Sequence, residues 1–269
     1  MEREKKLQIE LEMSEFAYLC RMLDAEKVVG ADNERLFPAD PEAQQELLAT
    51  GLQQLQAHEW LTADEEGRLT TNQHLVMLVA VVCSPDLVFT ATRYGAEDRQ
   101  QTISYFVAGP YLVELFQTDN DGYLLSRLPE VGAVLARWEA LFATGAAAAD
   151  PISLQLEGTA FAAARREAER GEGSVLARQL AAAGVSPAAR AELVERLARL
   201  SPHGKIEGAA VRGTALHAFG TLLLLQDDQG GGWLAQSDPD GDLLTLTQQT
   251  PATLRTIGRQ LFAAVAAPV

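Results

Sequence analysis

Two cysteines, Cys20 and Cys83, are too few to build a disulfide framework. Each sits in an apolar helical pattern, FAYLCRML and LVAVVCSP, which fits small buried thiols. Neither has a histidine or basic cluster beside it in sequence to lower its pKa. Long hydrophobic runs are also missing. No apolar stretch approaches the ~18 residues of a membrane helix. The opening MEREKKLQIELEM alternates charge with apolar residues, where an export signal carries a continuous apolar core of about 7–15 residues. The expected compartment is the cytoplasm. Basic charge is scarce: 22 Lys and Arg stand against 37 Asp and Glu, a formal net charge of −15. So acidic a chain, without a basic stripe, is repelled by nucleic acid. The segment LLATGLQQLQAHEWLTADEEGRLTT (47–71) has the helix, turn and polar hairpin of a winged helix. It carries Glu59, Asp64, Glu65 and Glu66 against Arg68, which argues against DNA binding.

Recognisable catalytic chemistry is the next absence. His58, His74, His203 and His217 are far apart, with no H-E-x-x-H or zinc spacing among them. No G-x-S-x-G elbow, S-x-x-K or Walker loop is present. GEGSVLA (171–177) holds two glycines of a dinucleotide fingerprint, lacks the third, and follows charged ARREAERGE rather than a strand. His58 and Trp60 in AHEWL read as a helix end with the indole packed beneath. The sequence predicts no catalytic residue, no cofactor and no metal ligand, and so a protein that is not an enzyme.

What is present is core-forming material. Hydrophobic residues make up 47% of the chain, enough for one large domain or two fused halves. LQIEL alternates with period two and predicts a strand. Phe16, Leu19 and Leu23 then follow at helical spacing behind Ser14 as N-cap. Gly30 to Pro38 reads as a loop. Pro41 opens a helix whose apolar stripe is Leu47, Leu48, Leu52 and Leu55. A further helix runs from Thr71 to Ser84-Pro85. DLVFTATRY, QTISYFVAG, YLVELFQT and GYLLSRL predict an antiparallel meander, and PEVGAVLARWEALF a helix with Pro129 in its first turn. TGAAAADP (144–151) reads as a linker between residues 1–143 and 152–269. The second part offers a helix, VSPAARAELVERLARL, capped at Ser186 and ending in Ser201-Pro202. The strand-like runs GKIEGAAVRG, ALHAFGTLLLLQD, GWLAQS and DLLTLTQQ follow, then a final helix from Thr250-Pro251.

The halves share landmarks. Ser-Pro after a helix falls at 84–85 and 201–202, the T/S-D-x-D-G turn at 118–122 and 237–241, the proline ahead of a helix at 129 and 251, and Leu-Phe at 141–142 and 261–262. Four landmarks in one order and at nearly one offset predict an internal duplication. The expected fold class is α+β, two pseudo-twofold-related halves, each an antiparallel β-meander packed with helices. The acidic stretches TDNDGYLL and SDPDGDLL then read as hairpin turns whose glycine takes φ > 0. A calcium loop needs a Glu at its twelfth position and acidic ligands at the first, third and fifth, and neither copy supplies the set.

Four stretches together resemble the EspG family, cytosolic chaperones of type VII (ESX) secretion. They are LQIELEMSEFAYLCRML; LLATGLQQLQAHEWLTADEEGRLTTNQHLVMLVAVVCSPDLVFTATRYG; LAAAGVSPAARAELVERLARLSPHGKIEG; and GGGWLAQSDPDGDLLTLTQQTPATLRTIGRQLF. Their order spans nearly the whole chain. The resemblance implies the two-half fold and binding rather than catalysis. Family members cover the apolar tip of a PE–PPE helical bundle with the long loop between early meander strands and with the C-terminal helices. The matching loop here, RYGAEDRQQ (93–101), is short and charged, so the expected client is a helical secretion substrate, PE–PPE-like or WXG-like. The candidate contact residues are Arg93, Tyr94, Glu97, Asp98, Arg99 and Gln100 in the loop, and Leu254, Ile257 and Leu261 on the last helix. Monomer and homodimer both stay open. Two other readings stand beside this one: a small-ligand or enzymatic domain with a pocket between the halves, and a duplication that self-associates through its meander edges.

Overall fold

The computed structural model describes residues 7–266 apart from 65, 67, 96–98, 145–150, 171–173, 213–214 and 238–242. In chain order its elements are β1 (Gln8–Leu11), α1 (Met13–Met22), α2 (Asn33–Leu36), α3 (Pro41–Ala57), β2 (Leu61–Ala63), β3 (Leu69–Thr71), α4 (Gln73–Cys83), β4 (Leu87–Tyr94), β5 (Gln100–Ala108), β6 (Tyr111–Gln117), β7 (Tyr123–Leu128) and α5 (Val131–Leu141). Then come β8 (Ser153–Glu157), α6 (Gly158–Glu169), α7 (Ser174–Ala182), α8 (Pro187–Ala198), β9 (Ser201–Arg212), β10 (Ala215–Gln226), β11 (Gly232–Ser237), β12 (Leu243–Gln248) and α9 (Pro251–Ala266). The fold is α+β. By packing, the chain divides into two units. The first is Met1–Thr90, Thr102–Val134 and Ala210–His217; the second is Ala91–Gln101, Leu135–Ala209 and Ala218–Val269.

In the first unit the strands lie in the order β1-β7-β6-β5-β4. β1 runs antiparallel to β7, with Ile9 opposite Leu125 and Leu11 opposite Tyr123. Ile9 and Leu11 are buried while Gln8 and Glu10 are exposed, the period-two pattern of a strand with one covered face. Phe16, Leu19 and Cys20 of α1 and Leu75, Leu78, Val79 and Val82 of α4 supply the apolar cover, and the Phe16 and Tyr123 rings meet at 4.6 Å. α3 crosses α1 at Gly51, where a Cβ would stand 2.1 Å from the Ser14 carbonyl oxygen. Only a glycine permits that approach. The α3 stripe is less buried than its spacing predicts: Leu55 is in the core, but Leu47, Leu48 and Leu52 are half-buried. β2 and β3 form a separate hairpin, with Leu61 opposite Thr71.

Several expected boundaries move. Glu12, not Ser14, is the N-cap of α1. Its backbone N–H donates to Glu15 Oε2 at 2.8 Å, while the Ser14 hydroxyl turns to Gln54 Oε1. Thr71 belongs to β3, and α4 is capped by Asn72, whose Oδ1 accepts from His74 and Leu75 N–H. The 30–38 loop contains the short helix α2. Pro129 lies two residues ahead of α5, and Ser201-Pro202 already belongs to β9.

In the second unit the order is β9-β10-β11-β12-β8. Leu154 and Leu156 of β8, Leu246 of β12, and Trp233 and Ala235 of β11 form one apolar face. Phe161, Leu176, Leu180, Leu193 and Leu197 from α6, α7 and α8 cover it. β8, α6 and α7 are absent from the sequence reading. ISLQLE is short, and the charged run ARREAER hides a helix whose Phe161 and Ala164 alone turn inward within their turn of chain. Residues 8–141 and 153–266 have a similar order of elements: a strand, helices, four strands, then a helix. In each unit the leading strand pairs antiparallel with the last of the four strands, β1 with β7 and β8 with β12.

Candidate partner-binding surface

The candidate loop and the last helix both belong to the second unit. Between β4 and β5, Gly95 N–H donates to the Arg99 carbonyl at 2.8 Å. Arg93, Arg99 and Gln100 are exposed and Tyr94 is half-buried. Glu97 and Asp98, placed at the tip by the sequence, lie outside the described residues. Arg93 stands near His203 of β9. Burial, and then the positive charge of Arg93, hold the His203 imidazole below its ordinary 6.5. The ring is 9% exposed and lies edge-on to Phe142 at 6.3 Å. A neutral, buried imidazole thus backs the base of the loop. Next to it, Gly204 lets β9 approach β4: a Cβ there would sit 2.5 Å from the Thr92 carbonyl oxygen and as close to the Phe142 ring.

α9 starts from a reciprocal cap. Thr253 N–H donates to Thr250 Oγ1 at 3.0 Å, and Thr250 N–H donates to Thr253 Oγ1 at 2.7 Å, which satisfies donors a helix start otherwise leaves orphaned. Its inner stripe is Leu254, Leu261, Phe262 and Val265, all buried. Phe262 stacks on Trp138 of α5 at 5.6 Å, Arg255 holds both oxygens of Glu139, and Gly258 admits Leu135 and Trp138 against the α9 backbone. Two of the expected contact residues lie on this inner stripe. Leu254 and Leu261 are 1% and 4% exposed and anchor the helix. Ile257 remains half-exposed at the lip of a groove of about 350 Å³, lined also by Gln236, Thr245, Thr247, Thr256 and Gln260. Periodicity placed all three leucine and isoleucine positions on one helix and could not tell which side faces the sheet.

Asp121 is left-handed, with φ 63°, and Gly122 is not, the reverse of the expected assignment. Gly122 is needed instead for closeness, since a Cβ there would meet the Leu11 carbonyl oxygen at 2.8 Å. Both Asp121 oxygens face Arg35, at 2.9 and 3.0 Å. The second turn, 238–242, lies outside the described residues. No group of three or more His, Cys, Asp or Glu side chains that could hold a metal occurs among the described residues. His58 donates or accepts at 2.8 Å with the buried Glu15, a packing role between α1 and the end of α3, and Trp60 is half-buried. Among the described residues no helix is long and apolar enough to cross a membrane.

No protein-family model and no curated protein sequence matches the chain. Among solved structures it is similar to the Mycobacterium tuberculosis type VII secretion system chaperone EspG5, determined in complex with a PE25–PPE41 dimer. The TM-score is 0.66 at 16% identity, over 97% of this chain and 98% of that one. Over nearly its whole length, the chain therefore has the fold of an EspG chaperone.

Proposed function

We propose that this protein is a cytosolic, non-catalytic chaperone that binds an apolar helical client, a type VII secretion substrate of PE–PPE or WXG type, before export. The observation that supports the reading best is the fold similarity across 97% of the chain to EspG5, whose structure holds a helical PE–PPE dimer. The contact surface we assign is the β4–β5 loop with Arg93, Tyr94, Glu97, Asp98, Arg99 and Gln100, together with Ile257 on α9. Leu254 and Leu261 act from beneath by fixing that helix. Affinity comes from buried apolar area in an interface of about 1,600 Å². The net charge of −15 keeps the chaperone soluble and steers basic clients toward it.

The test is co-expression with helical secretion substrates encoded beside its gene. A stable complex should copurify. Tyr94→Ala with Arg99→Glu, and separately Ile257→Arg, should weaken it at least tenfold while leaving the melting temperature of the free chain within a few degrees. Failure of every neighbouring substrate to copurify, or complexes indifferent to both variants, would overturn the function or the assigned surface respectively.

A further inference from the structure

Cys20 and Cys83 are 63 positions apart in sequence, and the fold brings them together. Cys20 lies on the inner face of α1 and is fully buried. Cys83 is the last residue of α4, which packs against α1, and its thiol is near enough to bear on the titration of Cys20. Their exposure differs. Cys83 is partly exposed and lines a cavity of about 690 Å³ in the first unit, together with Asp24, Ala25, Val29, Val82 and Pro85. A small solute that enters this cavity meets Cys83, whereas Cys20 is not among the lining residues and is buried. Contact with Cys83 and burial push the Cys20 thiol far up, so Cys20 stays protonated and inert until its neighbour changes.

We propose that Cys83 and Cys20 form a peroxide-responsive dithiol site, with Cys83 the sulfur that is oxidised and Cys20 the sulfur that resolves it. Hydrogen peroxide delivers one oxygen to the Cys83 thiol: the O–O bond breaks, an S–O bond forms, and the remaining hydroxide leaves as water with the displaced proton, giving a sulfenic acid. The Cys20 sulfur then attacks Cys83 sulfur. The S–O bond breaks, the hydroxide departs with the Cys20 proton as water, and an S–S bond remains. Two thiols and one peroxide give one disulfide and two waters. The product links α1 to the end of α4 and closes a loop of 63 residues across the first unit. Such a crosslink restricts the unfolded chain strongly. Because α1 and α4 already pack together, a limited backbone movement suffices to reach disulfide distance.

The proposal is independent of the chaperone reading and needs no client for its test. The purified full chain is treated with hydrogen peroxide, alkylated, and analysed by intact mass and peptide mapping. The expected product has lost two hydrogens and contains a linked Cys20–Cys83 peptide. It migrates as a monomer without reductant, melts at least about 5 °C higher than the reduced protein, and reverts with dithiothreitol. Cys20→Ser should halt at a Cys83 sulfenic acid that a dimedone probe traps. Cys83→Ser should leave Cys20 unmodified over the same interval. If wild-type Cys83 proceeds to sulfinic acid with no linked peptide, or Cys20 oxidises in Cys83→Ser as fast as in wild type, the assignment is overturned. The wild-type peptide map decides the matter even if a variant folds poorly.

Discussion

The turn between β6 and β7, in the first unit, and the turn between β10 and β11, in the second, each hang a hairpin on an aspartate paired with an arginine. Asp121 meets Arg35 at 2.9 Å, and the two side chains are 56% and 48% exposed. Asp227 meets Arg196 at 2.7 Å, but its side chain is fully buried and that of Arg196 only 20% exposed. Asp227 also accepts from Arg196 Nε at 2.9 Å, from Gly231 N–H at 2.8 Å and from Gln229 N–H at 3.1 Å, with the Trp233 indole N–H farther off at 3.4 Å. Distances of the same size thus belong to different physics. Water screens the first pair and competes for its members, so the bond adds little. In the second pair both ions have given up hydration, and each is held in place by the other's charge and by fixed donors. The buried turn organises its neighbours; the exposed one decorates them.

The largest effect should follow Asp227→Ala. It takes from Arg196 its buried partner at 2.7 Å and leaves it the exposed Glu192 at 3.8 Å, removes the acceptor of the Gly231 and Gln229 N–H groups and the Trp233 indole, and opens the end of the core at Trp233. Loss of one partner from a buried pair costs about 3–5 kcal/mol, which urea unfolding would read directly. Arg196→Met should cost less than Asp227→Ala. Combining it with Asp227→Leu should recover only part of the loss, because the backbone donors stay unsatisfied. A loss under about 1 kcal/mol for Asp227→Ala would erase the contrast between the turns.

That contrast was invisible in the sequence. TDNDG and SDPDG draw the eye because they repeat, while QDDQGGG reads as an ordinary polar turn. Local pattern reports which residues bend the chain, and burial is decided by what the rest of the fold lays over them. The same limit runs through the molecule. The meander strands were legible because alternation and glycine-bearing turns are short-range signals. β8 was not, since a five-residue strand is identified by the β12 strand beside it. Cap positions slipped by one or two residues wherever two polar residues competed, as with Glu12 and Ser14. On the candidate surface, the loop followed from the spacing of β4 and β5, but the inward turn of Leu254 and Leu261 and the meeting of Cys20 with Cys83 required the packed helices.

A middle-sized effect should come from Gly122→Ala, in the exposed turn. The added Cβ meets the Leu11 carbonyl oxygen at 2.8 Å, a backbone atom of β1 that cannot swing aside. Overpacking of this kind costs about 1–3 kcal/mol. The turn is then seen to matter through its close approach to β1 and not through its charge. If Gly122→Ala is neutral while Asp121→Ala is not, that order of importance is reversed.

The smallest effect belongs to Asp121 itself, and two substitutions separate its two roles. Asp121→Asn keeps a residue that tolerates the left-handed backbone and removes the ion pair with Arg35. Asp121→Gly removes the pair too and relieves the positive φ, though glycine adds unfolded-state entropy. Both should leave the melting temperature at pH 7 unchanged within error, with no coupling to Arg35→Ala in a double-mutant cycle. The pH dependence has a fixed sign. Arg35, by hydrogen bond and then by charge, holds the Asp121 carboxyl below its ordinary 3.8. Whatever stability the pair adds is therefore present above the unfolded carboxyl range and is lost as pH falls through the lowered folded value. Wild type and Asp121→Asn should differ most above about pH 4 and converge below it. Because both carboxylate oxygens already face Arg35, sub-millimolar calcium should not raise the melting temperature of either protein. A calcium-dependent rise that Asp121→Asn abolishes would make this turn a cation site, and a loss on Asp121→Asn as large as that on Asp227→Ala would show that exposure does not separate the two turns.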